Sequence, residues 1–287
     1  MTDIQIGGQA IIEGVLMRGE NAYAMAVRLP NQTIETKRIP CVPWTQRHWI
    51  LGLPIIRGPV LLLETMLIGF KAIRFSAEKS LAEGEEKISD REFTFSILFS
   101  LILSIGIFVA LPALVFTLLK NQIGNLLLLN LIEGSFRIVL FMGFLWSIAR
   151  LPELRRVFEY HGAEHKTIHQ FLASKDAASL TPENVAKQSR IHASCGTSFI
   201  FIVLLVSIFV FSFLGRPSFL TRIAFKLLLM PVVAGLAYEI IRIARRKDAP
   251  LWARIIVAPG KWFQQLTTRE PDASQIEVAI TALKTAL

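Results

Sequence analysis

The chain has 287 residues, 53% of them hydrophobic and only 18% charged, against about 45–50% and about 25% in a typical soluble domain. A mean hydropathy of +0.50, concentrated in two paired blocks, excludes an ordinary soluble enzyme and makes the lipid bilayer the first expected partner. The formal charge of +9 contains no basic run interleaved with aromatics on a soluble module, so no nucleic-acid partner is expected.

Residues 1–92 read as a cytoplasmic N-terminal region. The first residues lack the basic-then-apolar pattern of a secretory signal, which leaves the first span to direct insertion. Gly7, Gly8, Gly14 and Gly19 among apolar residues argue for strands and turns with close backbone approach. Glu13 among them is a carboxylate placed to support a site from behind. Residues 23–29 and 33–39 flank Pro30-Asn31-Gln32 as a hairpin. Cys41 reads as a small buried side chain and His48, beside Trp49, as an interfacial one. Residues 53–81 read as an amphipathic helix lying on the membrane rather than a fifth span, because Arg57, Glu64, Lys71 and Arg74 interrupt the apolar residues. A charged linker over residues 83–92 leads onward.

Four spans follow, which makes the chain an α-helical integral membrane protein with a small α+β N-terminal region. Residues 93–119 carry no charge, and about 20 apolar residues cross a bilayer core. A polar turn at Lys120-Asn121-Gln122 separates them from residues 126–149, so 93–149 forms the first helix pair. Glu133 and Arg137 stand four apart inside the second span and can pair on one face, either as a structural pair or as part of a proton or substrate path. Residues 198–214 are a short third span, Gly215-Arg216-Pro217 a turn, and residues 223–243 the fourth span, within a second pair over 198–244. Lys226 is expected to snorkel to the headgroups. Arg245, Arg246 and Lys247 open a tail over 245–287 that holds an amphipathic helix from Ala273. Lys and Arg crowd the N-terminal region, the loop over 150–197 and the tail, so all three are expected in the cytoplasm.

The loop over 150–197 carries the chemistry. Four of the five histidines, His161, His165, His169 and His192, lie in it. Residues 152–174 read as a helix with Pro152 in its first turn. On it His161 and His165 share a face, and with Glu164 they make H-x-x-E-H, a pattern of two metal-binding imidazoles and a general base. His192 and Cys195 follow just before the third span, and this mixture of ligands suits a divalent metal, zinc above all. His169 reads as a solvated surface histidine. Glu239, near the end of the fourth span on the same membrane face, is a further ligand or outer partner.

The stretches Gly7 to Gly19, Tyr160 to Lys166, Cys195 to Phe199 and Leu266 to Pro271 resemble the bacterial DUF1385 family of YqhQ-like membrane proteins. The resemblance extends across nearly the whole chain and implies a metal-dependent enzyme in the bacterial cytoplasmic (inner) membrane. The family pattern reads His-Pro-Arg-Cys where this chain has His192-Ala193-Ser194-Cys195, which removes a basic residue. Three readings stand. The first is a hydrolase at the cytoplasmic membrane surface, with Glu164 as catalytic base and the metal on His161, His165 and one of His192 or Cys195. The second is a non-catalytic assembly factor, bound to other membrane proteins or to its own copies, with all four ligands closing a structural site. The third, and weakest, is a transporter using Glu133 and Arg137.

Overall fold

The computed structural model describes residues 6–81, 89–192, 195–246 and 248–287. The expected linker lies outside these residues as far as residue 88, and so do Ala193, Ser194 and Lys247.

Strands β1 (Gly7–Ile11), β2 (Gly14–Arg18), β3 (Ala22–Arg28) and β4 (Ile34–Pro40) form an antiparallel meander in chain order. Ile11 pairs with Gly14 across a two-residue turn, where Glu13 takes a left-handed φ of 48°. The expected hairpin is β3–β4, with Arg28 opposite Ile34. Helices follow: α1 (Trp44–Arg47), α2 (Arg57–Lys79), α3 (Asp90–Ile105), α4 (Leu111–Leu119), α5 (Leu126–Ile148), α6 (Pro152–Ser174), α7 (Pro182–Ala186), α8 (Gly196–Ser212), α9 (Phe219–Ala244), α10 (Leu251–Thr267) and α11 (Ala273–Ala286).

The sheet is covered on both faces. Val15, Met17, Ala24 and Ala26 share a core with Tyr160, Ala163 and Ile168 of α6 and with Ile276, Ile280 and Leu283 of α11. Ile11, Leu16, Met25 and Val27 point the other way, onto Ala72 of α2. This explains why β2 and β3 are continuous apolar runs, since a strand buried on both faces loses the polar half of its alternation.

The membrane part begins at Ser89, whose hydroxyl and Glu92 make a capping box for α3. α3 and α4, joined by a π-helical turn at Gly106–Ala110, form the 30-residue apolar run Asp90–Leu119. α5 and α9 are likewise long and apolar enough to cross a bilayer. The 17 residues of α8 extend about 26 Å at about 1.5 Å per residue, the lower limit for a span. α3 buries none of its residues, and Phe95 and Ile102 are about 70% exposed. In water so much apolar surface would drive association, whereas acyl chains solvate it. The chain is a multi-pass membrane protein.

Three features go beyond the sequence reading. α2 bridges the two halves: Arg57 binds Glu239 of α9 at 2.5 and 2.7 Å, while Ala72 and Ser76 are buried toward the sheet. α10 is a further helix that runs through Pro259 and Gly260 and packs along α8. Lys226 does not snorkel. It is fully buried and ion-paired with Glu133, because a carboxylate one helix away is a better partner than a distant headgroup.

The docking of α11 on the sheet is expected to carry much of the stability of the extramembrane part. Leu283→Ala, at a fully buried position, should cost about 2–5 kcal/mol. A melting curve in detergent matching that of the unaltered protein would show that α11 does not hold the sheet.

Candidate metal centre

α6 is amphipathic in a way that separates packing from chemistry. Tyr160, Ala163, Ile168 and Phe171 face the sheet core. His161, His165 and His169, one turn apart, meet residues 190–192, Cys195 and the end of α10.

Two backbone carbonyls orient the imidazoles. His161 Nδ1 lies 2.8 Å from the carbonyl oxygen of Thr267, and His165 Nδ1 lies 2.6 Å from that of Arg190. A carbonyl only accepts, so each Nδ1 carries the proton and each Nε2 keeps its lone pair. His161 Nε2 then faces Cys195 Sγ at 3.3 Å. The ligand atoms of His161, His165 and Cys195 all lie within 4.8 Å of one another. A tetrahedral ion with bonds of about 2.0–2.3 Å sets its ligands about 3.3–3.7 Å apart, so the three side chains could hold a metal ion after drawing closer together. A hydrogen-bonded partner behind each metal-binding imidazole is the usual arrangement. Cys195 is the N-cap of α8, so the start of that helix fixes the position of its Sγ.

Glu164 is buried beside this set, its Oε2 4.0 Å from His161 Nε2. Strand β1 covers it: a Cβ on Gly8 would stand 2.8 Å from Glu164 Cγ and 2.8 Å from the Leu16 carbonyl oxygen. The glycine-rich segment therefore closes over the carboxyl of the H-x-x-E-H pattern. Burial pushes that carboxyl up to about 7.

His192 is not one of the three clustered ligands. Its ring centroid lies 5.6 Å from that of His165 and 4.8 Å from that of His169. Burial, with His165, His169 and Arg245 nearby, pushes its imidazole down to about 3. His169 is not the solvated side chain that its sequence position implied. Its Nε2 donates to the Ile191 carbonyl at 2.9 Å, because the backbone at Ile191 lies against α6. Glu13 and Glu239 are engaged elsewhere. Glu13 receives two bonds of 2.5 Å from Arg156 and one of 3.3 Å from Tyr160, which ties the β1–β2 turn to α6. Glu239 holds Arg57.

Sequence reasoning missed the groups that aim the ligands. The Thr267 carbonyl belongs to the Leu266 to Pro271 stretch. That stretch lies directly on α6: Arg269 N–H donates to the Phe158 carbonyl at 2.9 Å, and a Cβ on Gly162 would collide with the Arg269 carbonyl. Glu270 binds Lys166 at 2.8 Å. Gln264, fully buried on α10, accepts from His192 N–H at 2.9 Å and donates to the His192 carbonyl at 2.8 Å and to Ser198 Oγ at 2.7 Å. Beside the centre lies a polar cleft of about 240 Å³ lined by Arg155, Glu159, Arg190, Thr268, Arg269 and Glu270. Arg269 also donates to the Ala149 carbonyl at 3.1 Å, just past the end of α5.

The family model described as protein of unknown function (DUF1385) matches residues 53–287. The uncharacterized protein YqhQ of Bacillus subtilis (strain 168) is 33% identical over 288 residues, covering 96% of this chain and 89% of that protein. No solved structure matches.

Gln264→Leu keeps the volume but removes the two bonds that Gln264 makes to the His192 backbone, at about 0.5–1.5 kcal/mol for each hydrogen bond. Faster proteolysis between Lys187 and Cys195 is the expected result. Unchanged cleavage would mean that Gln264 does not fasten this segment.

Proposed function

We propose that this chain, which belongs to the DUF1385 family, is a membrane-embedded, zinc-dependent hydrolase working at the cytoplasmic face of the bacterial inner membrane. The observation that carries this reading is the convergence of His161, His165 and Cys195 within 4.8 Å, with both Nδ1 protons already committed to carbonyls. Three protein ligands with a fourth position open is the pattern of catalytic zinc. A zinc ion held there supplies Lewis acidity toward an oxygen nucleophile or a carbonyl or phosphoryl oxygen. Glu164 adjoins the set without belonging to it, and a carboxyl raised to about 7 is matched to taking and returning a proton near neutrality. The arginine-lined cleft shares Arg190 with the support of His165 and adjoins the Thr267 carbonyl. It favours a substrate bearing an anionic group, and its position past the end of α5 favours a lipid headgroup over a membrane peptide.

A second reading has its own support. The His192 ring lies beside His165, and a four-ligand set of His161, His165, His192 and Cys195 would be closed, as structural zinc sites are. The protein would then be a non-catalytic factor that assembles with other membrane proteins or with its own copies. The cytoplasmic placement of the domains over 1–92, 150–197 and 245–287 rests on their Lys and Arg excess.

The purified protein should hold one zinc per chain. The cobalt-substituted form should show a thiolate charge-transfer band that Cys195→Ser removes. His161→Ala and His165→Ala should lose the metal. Glu164→Gln should keep metal and spectrum while slowing headgroup release from native phospholipids, followed by mass spectrometry, by about 10²–10⁴-fold. Full turnover by the metal-loaded Glu164→Gln protein would sink the hydrolase and leave the structural site. Topology is a separate test: reporters at Gln122 and Pro217 should read outside and a reporter at Leu180 inside, and an outside signal at Leu180 would reverse the placement.

A further inference from the structure

The membrane helices hold a second polar cluster, made of other residues than the metal centre and built on different principles. It gathers Asn130, Glu133 and Arg137 of α5, Ser207 of α8, and Arg222 and Lys226 of α9. All are buried, Arg222 and Lys226 completely. Glu133 accepts from Arg222 Nη2 at 2.6 Å and from its Nε at 3.2 Å, and its other oxygen pairs with Lys226. Arg222 also donates to Asn130 at 2.6 Å. Arg137 donates its Nη1 to Ser207 Oγ at 2.8 Å. Its Nη2 lies 3.6 Å from Glu133, beyond hydrogen-bond reach, and its Nε and Nη2 are buried without a hydrogen-bond partner.

The charges do not balance. Three cations surround one carboxylate. Among the described residues of the helices packed here, the remaining acidic groups are remote: Asp90 and Glu92 lie at the start of α3, and Glu239 lies at the far end of α9 on Arg57. Aromatic faces offset part of the excess. Phe116 lies 3.3 Å from the Arg222 guanidinium, and Phe211 lies 5.3 Å from that of Arg137 and 5.4 Å from Lys226 Nζ. A π face is worth about 2 kcal/mol or somewhat more when desolvated, whereas an uncompensated buried ion costs several. Charged groups inside a membrane are retained where they pair or take a ligand.

We propose that this cluster binds a small monovalent anion of the halide kind, held by the Nε and Nη2 protons of Arg137, with Lys226 and Arg222 supplying the attracting charge. The number of free donors selects the anion, since a sulfate or phosphate needs more donors than Arg137 has to give. Depth argues against a phospholipid headgroup. Arg137 is eleven residues on from Leu126, about 17 Å along α5 at about 1.5 Å per residue, which is near the middle of the hydrocarbon core. The bound anion leaves one excess positive charge facing Phe116 and Phe211, and it locks α5, α8 and α9 together.

The full-length protein in detergent, exchanged into gluconate, is titrated with chloride, bromide, sulfate or phosphate at constant ionic strength while the melting temperature is read. Chloride and bromide should raise it saturably, and sulfate and phosphate should not. Arg137→Gln should abolish the response, and Arg150→Gln, at an arginine stacked on Trp146, should keep it. Should Arg137→Gln fail to fold, chloride NMR line broadening by the unaltered protein, displaced by bromide, gives an independent reading. Ser207→Ala, which frees Nη1 alone, should then weaken the midpoint several-fold. A response of equal size to all four anions overturns the proposal as a general ionic effect. So does a full chloride response in Arg137→Gln, or a chloride line width that the protein does not alter.

Discussion

Gly162 has no Cβ, and the carbonyl of Arg269 occupies the space where one would lie. This contact lets residues 266–270 lie flat on α6, with Arg269 N–H bonded to Phe158. The Thr267 carbonyl then falls at the His161 ring, which fixes its tautomer and turns its lone pair toward Cys195. The same stretch places Glu270 on Lys166 and Arg190, and Arg190 in turn offers its carbonyl to His165. A side chain at residue 162 would lift the segment and release both imidazoles together.

The two halves of the molecule are held by different forces. The sheet sandwich relies on apolar burial, with Val15, Met17, Ala163 and Ala279 almost wholly removed from solvent. Between membrane helices that term is weak, because acyl chains are as apolar as the side chains they replace. The bundle uses polar contacts instead. Arg216 donates to the carbonyls of Lys120, at 2.7 Å, and Ile123, at 2.8 Å, and so joins the two interhelical turns. The Glu133 cluster joins α5 to α9. α2 belongs to both halves, with Arg57 on Glu239 at one end and Ala72 beneath the sheet at the other.

Much of this was legible in the sequence, for physical reasons. Spans are long and uncharged, and helical spacing places His161 and His165 on one face, so these features are local. The β3–β4 hairpin announces itself by its turn residues. The clustering of Cys195 with the histidines was legible as proximity to one membrane face. The carbonyls of Thr267 and Arg190 were not, because a backbone oxygen has no signature in a sequence and these two meet their imidazoles across 106 and 25 residues. His169 and Lys226 were misread for the same reason, since each has a partner supplied by a distant segment. His192 was readable as a neighbour of the site, while the packing of its ring against His165 and His169 depends on how residues 190–192 lie on α6.

The walls around Glu164 and His161 come from the two ends of the translation order. Gly8 emerges from the ribosome early, α6 after the first helix pair has entered the bilayer, and Thr267 only when the second pair has followed. Until then β1 can lie on α6, but His161 has no carbonyl to select its tautomer. The centre is therefore assembled after insertion is complete. A nascent chain stalled before α10 would carry a His161 ring with no carbonyl to orient it, so the finished geometry of the cluster reports that the second helix pair has been made.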